Sequence, residues 1–104
     1  MNHGLQPREI EKIIKAAEEL PEIEEMILFG SRAKGNFKKA SDIDLAIKGK
    51  EITETTVKQL SSRLNEELPL PYFFDVIDYK SINNTDLLKH INRVGNLIYK
   101  KQHD

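Results

Sequence analysis

The chain has 104 residues, 38% hydrophobic and 32% charged, with a formal net charge of −1 and no cysteine. That length predicts one domain with one modest core, spanning about residues 8–100. A near-neutral balance without a massed basic run argues against non-specific nucleic-acid binding, and the missing cysteines exclude disulfides and thiolate metal sites. No apolar run reaches the length of a membrane span or a signal-peptide core, so the expected location is the cytoplasm, with no membrane contact.

Met1 to Gln6 is a polar lead-in. Pro7 stands where the first turn of a helix tolerates proline. Ile10, Ile13, Ile14, Ala17 and Leu20 then recur at amphipathic-helix spacing until Pro21 stops the run. Met26-Ile27-Leu28-Phe29 is too short for a helix and reads as a buried strand ended by Gly30. Ser31 is a good N-cap type for at most one helical turn in the basic stretch Arg32 to Lys39. Asp42 to Ile47 reads as a second strand. Its alternation puts Asp42, Asp44 and Ala46 on one face and Ile43, Leu45 and Ile47 on the other.

Thr53 to Leu68 is a second long helix with Val57, Leu60, Leu64 and Leu68 as its stripe; Pro69 and Pro71 end it and impose an extended link. Tyr72 to Tyr79, aromatic and β-branched, predicts a third strand, with Tyr72, Phe73, Phe74 and Tyr79 as core and not as a base-stacking surface. Asn84 or Thr85 caps a last helix whose stripe is Leu87, Leu88, Ile91 and Val94, with Gly95 near its end. Asn96 to Lys100 reads as a closing strand and Lys101 to Asp104 as a frayed tail. The order helix, strand, strand, helix, strand, helix, strand predicts an α/β sandwich, a mixed sheet with helices packed on it.

Three acids bear on chemistry. Asp42 and Asp44 project the same way from one strand, roughly 6–7 Å apart by the strand rise. Asp75 sits mid-strand in an apolar run, where propensity and desolvation both disfavour a carboxylate; Asp78, nearer the strand end, is the alternative. If the third strand pairs beside the second, three carboxylates converge and repel unless a cation neutralises them. Oxygen donors favour Mg²⁺ or Mn²⁺, and two such ions can activate an attacking oxygen and steady a leaving pyrophosphate. Gly30 lets backbone approach a phosphate without a Cβ in the way. The turn at Ser31 can offer N–H and hydroxyl donors, with Arg32 and Lys34 adding positive charge. The loop lacks the Gly-Lys-Ser/Thr ending of a Walker motif. His3, His90 and His103 show no ligand spacing and read as surface or helix-face residues. Lys38-Lys39 reads as a solvated loop, and nothing signals a nucleophile elbow.

Gly30-Ser31, ten intervening residues, then Asp42-Ile43-Asp44, with a later strand acid, resembles the signature of the DNA polymerase β-like nucleotidyltransferase superfamily. The wording Phe29-Gly30-Ser31-Arg32-Ala33-Lys34-Gly35 and Ser41-Asp42-Ile43-Asp44-Leu45-Ala46-Ile47 is closest to its minimal nucleotidyltransferase (MNT) branch, over roughly Ile10 to Tyr99. The resemblance implies that Gly30 and Ser31 hold a nucleotide triphosphate, with Arg32 in a supporting phosphate-binding or structural role. It implies that Asp42, Asp44 and Asp75 bind two Mg²⁺ ions (or Mn²⁺), and that Asp75 helps deprotonate an acceptor hydroxyl. It further implies transfer of AMP from ATP to a tyrosine of a HEPN-type helical partner, with the MNT protein acting as antitoxin. Two other outcomes stand beside it: masking of the partner without catalysis, and transfer to a small molecule.

Overall fold

The computed structural model describes residues 3–38 and 40–102. Met1 and Asn2 of the lead-in, Lys39 of the Lys38-Lys39 pair, and His103 and Asp104 of the tail lie outside the described residues.

Helix α1 (Pro7–Glu18) opens with proline in its first turn, and Glu9 accepts the Gln6 N–H at 2.9 Å, closing the first turn from outside. Strand β1 (Glu25–Phe29) leads through the single-turn helix α2 (Ser31–Lys34) to strand β2 (Ile43–Lys48). Helix α3 (Glu54–Ser62) follows, capped by Thr53, whose Oγ1 accepts the Thr56 N–H. It runs on as a π-helical turn, Arg63–Glu67, so the helix expected over Thr53 to Leu68 forms in two pieces. Strand β3 (Phe74–Asp78), helix α4 (Thr85–Val94) and strand β4 (Asn96–Lys100) complete the chain. Asn84 is the cap of α4, its side chain accepting the Leu87 N–H at 3.1 Å.

The sheet order is β3-β2-β1-β4. β1 pairs antiparallel with both β2 and β4, whereas β2 and β3 are parallel. Parallel neighbours need a crossover, which α3 and its π-turn supply. The expected mixed sheet with helices packed on it is therefore present. One face carries the larger core: Ile13 and Ala17 of α1, Leu60 of α3, and Met26, Leu28, Ile43, Leu45, Ile47 and Phe74 of the sheet. The other carries a small cluster, Phe29, Ala46 and Ile91, edged by Ile27, Ile77 and Leu87 under α4. Each fully buried Leu, Ile or Phe contributes about 1.5–3 kcal/mol, so the first face carries most of the stability. The second, thinner layer is where Asp44 emerges. Among the described residues no helix is long and apolar enough to cross a membrane.

Three expectations need correction. The third strand begins at Phe74, not Tyr72; Phe73 precedes it and is 60% exposed, so it is not core. Asp75 is exposed, because β3 is an edge strand open to water. The desolvation expected of a mid-strand acid is absent there. Strand β2 begins at Ile43, which leaves Asp42 exposed just ahead of it.

Candidate active site

Because β1 and β2 are antiparallel, β1 ends where β2 begins. Phe29 is the direct partner of Asp44, so the Gly30 turn and Asp44 share one end of the sheet. On its other side Asp44 is the direct partner of Asp75 across the parallel β2–β3 pair. Asp42 lies two residues upstream of Asp44, outside the strand. Three acids from two chain segments thus stand at one sheet end.

Asp44 feels both of the other acids. Its carboxyl is pushed up from 3.8 to about 6, first by burial, then by the charges of Asp75 and Asp42. Among the described residues no three acidic or imidazole groups come close enough to enclose an ion by themselves. The donor set, carboxylate oxygens only, suits a hard cation such as Mg²⁺. Further donors would have to come from water and ligand oxygens.

Gly30 has φ 80° and ψ −157°, a conformation that residues with a Cβ rarely adopt. A Cβ built there would strike Oδ2 of Asp44, so the carboxylate packs against bare Cα. Gly30, not Ser31 as expected, is the N-cap of α2; its carbonyl accepts the Lys34 N–H at 3.1 Å.

Of the two supporting roles expected of Arg32, phosphate contact or structure, its surroundings fit the structural one. Arg32 is 1% exposed. Its Nε donates to the Ser41 carbonyl at 3.1 Å and its Nη1 to the His3 carbonyl at 3.0 Å. The guanidinium lies between the rings of Phe37 and Tyr72, 4.8 and 5.0 Å from their centroids. A group so enclosed ties the loop before Asp42 to α2 and is not presented to a ligand. Asp78, the alternative third acid, sits at the far end of β3, where it accepts from the Lys80 N–H and ammonium and from the Ser81 hydroxyl.

One residue at this end escaped the sequence reading. His90 of α4 accepts the Gly30 N–H through Nε2 at 2.9 Å. Its place beside Ile91, on the flank of the stripe formed by Leu87 and Ile91, was the available signal. His3, in contrast, serves the lead-in, its Nδ1 accepting the Leu5 N–H at 3.1 Å. A cavity of about 760 Å³ lined by Ile52, Val57, Asp78, Lys80 and Leu87 opens at the other end of β3 and touches none of the three site acids.

A four-stranded mixed sheet with a Gly-Ser turn after β1 and facing aspartates on β2 and β3 is an arrangement suited to a nucleotidyltransferase of the polymerase β type. The chain belongs to that family: the model described as "Polymerase beta, Nucleotidyltransferase" matches residues 11–104. Its likenesses lie with the MNT branch. It is 34% identical over 74 residues to the probable protein adenylyltransferase MntA of Haemophilus influenzae, a match covering 71% of this chain and 64% of that protein. The chain thus spans less than two thirds of that relative's length. A chain from a toxin–antitoxin crystal structure with AMP-PNP superposes with a TM-score of 0.73 at 26% identity, over 89% of this chain and 74% of that one. A chain from the complex of tri-AMPylated Shewanella oneidensis HEPN toxin with MNT antitoxin shares the fold, with a TM-score of 0.67 at 23% identity over 88% and 70% of the two chains.

Proposed function

We propose that this protein is a nucleotidyltransferase that moves AMP from ATP onto a hydroxyl of a partner protein, a tyrosine of a HEPN-type helical toxin, and thereby acts as its antitoxin in the cytoplasm. The observation that carries this reading is the parallel register that sets Asp44 against Asp75 beside the Gly30 turn. The likeness to MntA supports adenylyl transfer to protein, and the likeness to a toxin–antitoxin chain with AMP-PNP supports ATP as donor.

Asp42, Asp44 and Asp75 are the residues that would hold Mg²⁺, as two ions, or Mn²⁺. When bound, the cations supply charge neutralisation for the triphosphate and lower the barrier to deprotonating the acceptor oxygen. Gly30 and Ser31 would hold the triphosphate, with the glycine permitting close backbone approach. Asp75, exposed on the edge strand, would take the acceptor's proton. The acceptor oxygen bonds to the α-phosphorus, the bond from that phosphorus to the bridging oxygen breaks, and pyrophosphate leaves with the electron pair.

The test is incubation of the protein with its HEPN partner, Mg²⁺ and ATP labelled at the α-phosphate. Label should pass to the partner, and Asp42→Asn/Asp44→Asn should abolish it while the complex still forms. Undiminished labelling by the double variant would overturn the assignment of these acids. A double variant that labels nothing yet still neutralises the toxin in cells would favour masking.

A further inference from the structure

His90 lies 60 residues beyond Gly30, yet its Nε2 accepts the Gly30 N–H at 2.9 Å. The imidazole also meets the Phe29 ring edge-on, with centroids 6.2 Å apart and an interplanar angle of 76°. An Nε2 that accepts an N–H carries no proton, so the ring is neutral with its proton on Nδ1. Partial burial and the positive charges of Lys34 on α2 and Arg93 on α4 favour that neutral form.

Gly30 is therefore held on three sides. His90 takes its N–H, the Lys34 N–H takes its carbonyl, and the Asp44 carboxylate packs where a Cβ would stand. Glycine has more backbone states to lose on folding than any other residue, so this turn keeps one orientation only through such ties. Packing alone does not call for a histidine here. The neighbouring α4 contacts, Leu87 and Ile91, are aliphatic and fill the small cluster with Phe29 and Ala46. The polar ring is accounted for by the N–H it receives.

We propose that His90 is the positioning residue of the nucleotide turn: by accepting the Gly30 N–H it fixes the Phe29–Gly30 peptide that opens the turn and holds Gly30 against Asp44. This rests on the nucleotidyltransferase reading of the site. Two consequences follow from the geometry. Removing the acceptor loosens nucleotide binding. Protonating the imidazole sets N–H against N–H and breaks the same bond.

The test is calorimetric titration of the full chain with AMP-PNP and Mg²⁺, comparing wild type, His90→Ala and His90→Gln. The glutamine carboxamide oxygen can accept the Gly30 N–H and does not titrate. His90→Ala should weaken binding about fivefold, the order of one neutral hydrogen bond, and His90→Gln should recover most of it. As pH falls below the ordinary histidine value of 6.5, wild type should lose more affinity than His90→Gln, because only wild type can lose the bond by protonation. Asp44 is present in both proteins, so the difference between the profiles isolates His90. Equal affinity in all three proteins overturns the proposal, as do equal losses in Ala and Gln, which would mean that His90 only fills space. If His90→Ala does not fold, the wild-type and His90→Gln profiles decide, and coincident profiles overturn it. Absence of any nucleotide binding by wild type would overturn the nucleotidyltransferase reading itself.

Discussion

Asp44 stands directly opposite Asp75 in the parallel β2–β3 register, and its carboxyl is pushed up from 3.8 to about 6 by burial and by the charges of Asp75 and Asp42. Its proton is held more tightly in the folded chain than in the unfolded one. The penalty is therefore absent below pH 3.8, grows as pH rises through the interval, and is complete above about pH 6. The full span would correspond to about 3 kcal/mol. Water reaches this half-buried carboxyl and screens its neighbours, which reduces the expected penalty to about 1 kcal/mol. Asp44→Asn should raise Tm by about 5 °C near pH 8 without divalent ions, and leave it unchanged near pH 4. Mg²⁺ should raise the wild-type Tm and move the variant much less. Calorimetry across pH, with and without Mg²⁺, checks both signs.

Two glycines with positive φ separate strain from site damage. Gly30 (φ 80°) faces Asp44 Oδ2 where a Cβ would go, whereas Gly35 (φ 83°) has open space around it. Gly35→Ala should cost only the left-handed penalty, about 1–2 kcal/mol, and leave Mg²⁺-dependent nucleotide binding intact. Gly30→Ala carries that penalty and also displaces the Asp44 carboxylate, so binding of AMP-PNP with Mg²⁺ should fall at least tenfold beyond what stability explains. Denaturant unfolding beside binding titrations separates the two effects. Equal binding by the two variants would contradict the close packing of Gly30 on Asp44.

Much of the fold was legible because the chain states it locally. Apolar spacing marked the helices, Gly30 and the prolines marked the stops, and the alternation in β2 placed Asp44 and Ala46 on one face. What stayed hidden depends on edges and on distant partners. Phe73 and Phe74 are adjacent and equally apolar, yet one is 60% exposed and the other 1%; Phe74 opens β3 and packs into the larger core, whereas Phe73 lies just ahead of the strand. Arg32 stands among basic loop residues, and its burial between Phe37 and Tyr72 follows from a tyrosine forty residues later. His90 meets Gly30 only because α4 returns across β1. Periodicity carries no information on such contacts.

Arg32 joins α2 to the segment before Asp42 through its hydrogen bond to the Ser41 carbonyl. Lysine would keep the charge but lose the planar fork that serves Ser41 and His3 together, and it would stack less well between two rings. Arg32→Lys should destabilise the fold by about 2–3 kcal/mol, since buried carbonyls lose charged donors. It should also raise amide exchange at Phe37, Ser41 and Asp42. Denaturant unfolding and hydrogen exchange measure these, and a variant within about 0.5 kcal/mol of wild type would contradict the role given to the fork.

Asn65, in the π-turn after α3, closes the free edge of β3 as a neighbouring strand would. Its Oδ1 accepts the Phe74 N–H at 2.7 Å and its Nδ2 donates to the Phe74 carbonyl at 3.0 Å. Phe74 is buried and immediately precedes Asp75, so this clasp fixes the backbone that presents the acid. Asn65→Ala leaves both Phe74 groups without that partner at a partly buried edge, at a cost of about 2 kcal/mol. Asn65→Asp keeps the acceptor, loses the donor, and sets a carboxylate against the Phe74 carbonyl, so it should cost at least as much. Because Asp75 lies beyond the clasp, both variants should weaken Mg²⁺-dependent nucleotide binding less than Asp75→Asn does, while lowering Tm more. Calorimetric melting beside AMP-PNP titration of the three variants measures that inversion, and a Tm loss in Asp75→Asn larger than in Asn65→Ala would overturn it.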